Sequence, residues 1–146
     1  MQPQFLVKLK ILKPPDEVFE AVVNPAKLSG YFVENSSGPL REGTTVTWKF
    51  QELLDEFEVV VRNVEKDRRI AFDWPTHHEG QPTTVEMAFE PIGLRSTLMK
   101  ISEYGWPDEA KGRELAYGNC GGWMHMMACL KAYLEYGINL RAGGAV

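Results

Sequence analysis

Between Glu109 and Arg141 the sequence carries one long amphipathic helical pattern. A helix of that length constrains everything before it, because its apolar stripe needs a partner surface of matching extent. At 100° per residue, with Trp123 as centre, Ala116, Asn119, Cys120, Trp123, Met126, Met127, Leu130 and Leu134 fall within roughly 60° of one line. Glu114, Tyr117, His125, Ala132, Glu135 and Tyr136 fall on the other side. An apolar face of about 25 residues spans roughly 38 Å, and the concave face of a strongly curved sheet is its natural cover. A Trp and two Met in one stripe either pack an ordinary core or line an adaptable apolar pocket.

The remainder of the chain supplies such a sheet. Phe5, Val7, Leu9 and Ile11 alternate with Leu6, Lys8, Lys10 and Leu12, the period of a half-buried strand. Pro14-Pro15 stops it, and Pro15, Asp16 and Glu17 suit the first turn of a helix whose buried face is Val18, Phe19, Val22 and Val23. Asn24-Pro25 breaks that helix and leaves room for one more turn before Gly30. Tyr31 to Asn35 leads into a Ser-Ser-Gly-Pro turn. Strands are then expected at Thr44 to Phe50, Glu56 to Glu65, Ile70 to Trp74, Thr83 to Glu90 and Ser96 to Tyr104. Lys66-Asp67 and Pro91 to Leu94 read as hairpin connections, and such short gaps favour one antiparallel meander.

Charge and motif content exclude several functions. With 146 residues and a formal charge of −4, the chain fits a single domain over 1–146 and has no clustered basic face for nucleic acid. It contains no run of about 18 apolar residues, so no membrane span is expected. Cys120 and Cys129 lie roughly 13 Å apart along one helix axis and cannot bridge. Two unpaired cysteines and a start without the pattern of an export signal point to the cytoplasm. His77-His78-Glu79 has the residue types of a zinc site, but adjacent residues on an extended loop point apart. Cys120 and His125 are about 140° apart around the helix and cannot act as a nucleophile pair. No Gly-rich phosphate loop, nucleophile elbow or paired-carboxylate constellation stands out, so no cofactor and no metal are expected.

Five short motifs in order make a family resemblance: Pro15-Asp16-Glu17-Val18-Phe19-Glu20-Ala21, Asn24-Pro25-Ala26-Lys27-Leu28, Gly43 before a strand, Phe72-Asp73-Trp74, and Gly122-Trp123 in the last helix. Together the chain resembles the START-like or SRPBCC superfamily, and within it the family related to the C-terminal domain of the activator of Hsp90 ATPase. The resemblance implies an α+β helix-grip fold of the Bet v 1-like kind: about seven curved antiparallel strands, two short helices, and a long C-terminal helix across the sheet. It further implies an apolar cavity between sheet and helix. Where many members have a Trp after the second short helix, this chain has Tyr31, which would offer a hydroxyl at the pocket mouth.

Alternation selects the sheet residues that face the helix. They include Trp48 and Phe50, Phe57, Phe72 and Trp74, Met87 and Phe89, and Met99. With Tyr31 and the helix residues Asn119, Trp123, Met126 and Met127, these make either a filled core or a narrow apolar cavity, and they form the candidate ligand-binding set. Asn119 is the polar group among them, while Arg141 projects on the same helical line at the rim. The expected function is binding or sensing of a small hydrophobic or aromatic molecule by a monomer or homodimer. Two other readings are a protein-interaction module with a chaperone or stress-response partner, and a hydrolase or cyclase using polar pocket groups.

Overall fold

The computed structural model describes residues 1–75 and 82–144. Strand β1 (Gln4–Ile11) is followed by helices α1 (Pro15–Val23) and α2 (Pro25–Leu28), then β2 (Asn35–Ser36), β3 (Thr45–Lys49) and β4 (Glu56–Glu65). Next come β5 (Arg69–Pro75), β6 (Pro82–Ile92) and β7 (Ser96–Tyr104), then the long helix α3 (Ala110–Tyr136) and a short 3-10 turn at Arg141–Gly143. The strands form one seven-stranded antiparallel sheet in the order β1-β7-β6-β5-β4-β3-β2. This is the helix-grip architecture that the motif order implies.

Local chemistry sets the boundaries. Pro15 opens α1 with Asp16 and Glu17 in its first turn, and the Asn24 side chain caps α2 by accepting from the Ala26 N–H at 2.9 Å. Asp67 turns the β4–β5 hairpin with φ 63, and the β4 register shifts between Val61 and Asn63, a bulge that adds curvature. The last helix is shorter than the periodicity suggests. Gly137 takes φ 69 and gives its N–H to Tyr133 O, while the Ile138 N–H bonds Ala132 O, so α3 ends at Tyr136. Arg141 therefore does not continue the Trp123 line; it lies on the chain that folds back after the helix.

One apolar cluster joins the sheet to α1 and α3. Phe19 of α1 meets Phe89 edge-on at 5.6 Å, and Met126, Met127, Cys129 and Leu130 of α3 are all buried in it. Cys129 was not on the expected stripe. Its sulfur is carried inward because the helix buries a broader arc here than one 60° sector. The C-terminal half of α3 is also tied to the β1 edge: Lys131 Nζ donates to Lys10 O at 2.8 Å, and the Leu12 N–H donates to Glu135 Oε2 at 2.8 Å.

Candidate functional site

The site begins with three neighbouring strands at one end of the sheet. Trp74 of β5 is register partner of Thr83 on β6, and Glu103 is the last inward residue of β7, continuing the buried alternation Thr97, Met99, Ile101. Above them α3 lays down Asn119 and Trp123, which are four residues apart and so share a helix face. The five side chains meet at the Glu103 carboxylate, which is completely buried. Its Oε1 accepts from Trp123 Nε1 at 2.8 Å, and its Oε2 accepts from Trp74 Nε1 at 3.0 Å and Thr83 Oγ1 at 2.5 Å. Asn119 Nδ2 lies 3.2 Å from both oxygens. A buried charge survives only when it is well paired or well hydrogen-bonded, and here four donors from β5, β6 and α3 converge on it. Glu103 is thus a clamp between sheet and helix, with its lone pairs committed to those donors.

In front of the clamp lies a partly open pocket of about 450 Å³. Its aromatic walls are Phe32, Phe50, Phe57, Trp74, Trp106 and Trp123. Trp74 and Trp123 sit 5.2 Å apart at a 40° tilt, and Phe57 lies 6.0 Å from Trp74. Helix α3 contributes Leu115, Asn119, Gly121, Gly122 and His125, and the rim carries Glu52, Leu53 and Arg141. Arg141 Nη2 is paired with Glu52 Oε1 at 2.5 Å, joining the segment after α3 to the residues before β4. A Cβ built on Gly121 or Gly122 would meet nothing within 4 Å, so these two glycines widen the pocket without any close packing that requires them.

Of the residues chosen from sequence, Phe50, Phe57, Trp74, Asn119 and Trp123 stand on this wall. Trp48, Phe72, Met87, Phe89, Met99, Met126 and Met127 do not; they are buried in the cluster behind it, where neighbouring side chains fill the space. Tyr31 is also away from the mouth. It is fully buried, its hydroxyl donates to Ala21 O at 3.0 Å, and burial pushes its phenol well above the ordinary value. Residues that alternation did not single out are Phe32, Trp106, the two pocket glycines and Glu103. The signal for Glu103 was its place on the inward row of β7, two residues after Ile101. His77, His78 and Glu79 lie outside the described residues.

Among the described residues, no group of three or more His, Cys, Asp and Glu is placed to hold a metal ion. Cys129 Sγ lies 3.9 and 3.8 Å from the two ring nitrogens of His125. Near-equal distances put the sulfur on the plane that bisects the ring, not on one nitrogen's lone-pair direction as a nucleophile–base pair requires. Burial raises the Cys129 thiol, with Arg141 acting in the opposite direction, so the thiol form is favoured.

Fold and site together define a helix-grip protein with an aromatic pocket at one end of the sheet–helix interface. Residues 13–135 match the family of activator of Hsp90 ATPase homolog 1-like proteins, and the chain belongs to it. Among solved structures, the protein SSP2350 from Staphylococcus saprophyticus is similar over 94% of this chain and 95% of its own, at 28% identity and a TM-score of 0.78. DynU16, a protein of the dynemicin biosynthetic locus, is similar at 25% identity and a TM-score of 0.79 over 92% of this chain, which spans 48% of that one. The Aha1 dimer from Colwellia psychrerythraea shares the fold at 16% identity and a TM-score of 0.77, covering 92% of this chain and 98% of that one. Among curated proteins none matches the sequence. No helix among the described residues is long and apolar enough to cross a membrane.

Proposed function

We propose that this chain, acting as one domain over 1–146, binds a small apolar or aromatic molecule in the pocket between the end of the sheet and α3. The observation that carries the reading is the wall itself. Six aromatic side chains surround about 450 Å³ of open space, and a buried carboxylate clamp fixes two of the indoles. Binding sites for small molecules are typically concave, mostly apolar and furnished with few polar groups, and this pocket has that composition. A binding role accords with the geometry better than a hydrolase or cyclase role, because the inward carboxylate is engaged by four donors and, among the described residues, His125 has no aligned nucleophile. The unbridged Cys120 and Cys129 accord with a reducing, cytoplasmic setting.

Titration with a panel of polycyclic aromatic probes tests the reading. Trp74, Trp106 and Trp123 of the four tryptophans line the pocket, so a bound aromatic should quench most of the tryptophan emission. At a hundred times Kd the same probe should stabilise the fold by about 2.7 kcal/mol, a rise of several degrees in Tm. Gly122→Leu, which places a side chain in the opening, should abolish both effects while the protein stays folded. If the whole panel gives neither quenching nor stabilisation, the pocket is not a binding site, and the protein-interaction reading takes its place.

A further inference from the structure

The amide of Asn119 has two unlike ends, and Glu103 decides which of them the pocket meets. Both oxygens of that carboxylate already accept an indole N–H, from Trp123 on one and Trp74 on the other, and an indole nitrogen can only donate. Turning the Asn119 amide over would set its carbonyl oxygen against two acceptors at about the same distance. The Nδ2 end is therefore held on Glu103, 3.2 Å from each oxygen. Oδ1 accepts no hydrogen bond from any described residue, it is not among the buried unpartnered atoms, and Asn119 stands on the pocket wall. Among the described residues no donor uses this acceptor, while Trp106 Nε1, an unpartnered donor on another residue of the wall, is buried and not exposed to the opening. At the rim the charged groups Arg141 and Glu52 are paired with each other.

We propose that the pocket selects ligands that carry a hydrogen-bond donor on an aromatic frame, a ring N–H or a phenolic O–H, over isosteres that offer only an acceptor. This rests on the binding function proposed above and adds the polarity of the ligand to it. An acceptor-bearing isostere would face Oδ1 without a hydrogen and would also strip water from it, whereas a donor replaces that water with a direct bond. In this arrangement Glu103 is a positioning residue: it need not touch the ligand and acts by orienting Asn119.

Indole and benzofuran have nearly the same shape and differ in offering an N–H or an ether oxygen, which makes them the probe pair. Their affinities can be read from chemical-shift titrations of the isotope-labelled protein at pH 7. Indole should bind about fivefold more tightly, within a range of roughly two to tenfold for one neutral hydrogen bond. Asn119→Leu should bring the two affinities to within about twofold of each other. Glu103→Gln, whose amide can receive Asn119 in either orientation, should likewise shrink the ratio, and a merely structural role would not move it. Should that variant fail to fold, the Asn119→Leu ratio decides the matter. Equal affinities in the unsubstituted protein, or a ratio that persists in Asn119→Leu, would overturn the donor preference while leaving the binding function intact. If neither compound shifts any pocket resonance, the binding function itself falls, and this inference with it.

Discussion

Helix α3 meets the sheet in two different ways along its length. From Trp123 onward it presses Met126, Met127, Cys129 and Leu130 into a filled cluster with α1 and the middle of the sheet. From Leu115 to Gly122 it presents Asn119 and two glycines to open space. Large inward aromatics occur on both sides of that divide, Trp48 and Phe72 behind it and Phe57 and Trp74 in front. Bulk on the sheet therefore does not determine where the cavity lies. The missing side chains of the helix do. Each interior glycine costs about 0.8 to 1.0 kcal/mol of helix stability relative to Ala. At Gly121 and Gly122 no packing constraint in the fold accounts for that cost, since a Cβ would fit freely at either position.

The filled half should respond most to truncation. Phe72→Ala removes a fully buried ring that touches Trp48 and Trp74 and should cost about 3 to 5 kcal/mol in urea unfolding. A loss below about 1 kcal/mol would mean that this half is as loosely packed as the pocket, and the contrast would vanish.

The tie between α3 and the β1 edge should be next in size and should depend on pH. Burial acts upward on the Glu135 carboxyl, but the Leu12 N–H and the Lys131 ammonium outweigh it and hold the group below the ordinary carboxylate value. A depressed folded value means that its contribution is complete above the unfolded value, about 4.3, and is lost as pH falls through the lower folded one. Glu135→Gln should cost about 1 to 2 kcal/mol near pH 7. The Tm difference from the unsubstituted protein should close as both are acidified below about pH 4. A difference that stays constant down to pH 3 would assign the effect to packing.

The smallest effect tests the open half directly. Gly122→Ala should raise stability by about 0.8 to 1.0 kcal/mol, because a methyl group there meets nothing and improves helix propensity. A destabilised variant would show that the glycine answers a packing need and that the two halves differ less than the geometry indicates.

How far the sequence made this legible follows the same divide. Alternation and turn residues placed the six longer strands to within a residue or two, and Pro15, Asn24 and Pro25 placed the short helices, because each rests on local chemistry. The end of α3 was misread because periodicity carries through Gly137, whose left-handed conformation is a backbone event with no apolar signature. The site was only partly legible. Trp74, Asn119 and Trp123 stood out as large or polar groups on inward faces, but Glu103 did not, since a search for apolar residues passes over a carboxylate on an inward row. Its donors come from positions 16 to 29 residues away, and no local spacing brings them together. Which aromatics are core and which are wall depended on what the helix lacks opposite them, a property of the assembled fold.

The pairing of β1 with β7 has a consequence for how the chain is made. Gln4 finds its partner at Tyr104, and among the described residues β1 has no other neighbour in the sheet. At about 5 to 20 residues per second, a nascent chain holds this strand unpaired for roughly 5 to 20 s before β7 has been synthesised. Its exposed row of Leu6, Lys8 and Lys10 alternates with the apolar row Phe5, Val7, Leu9 and Ile11. Lysines on a waiting strand discourage pairing with other chains. Strand β1 is thus satisfied only once β7 has been made, so early release or stalling before Tyr104 would leave a translation product with an unpartnered β edge and no lid on its core.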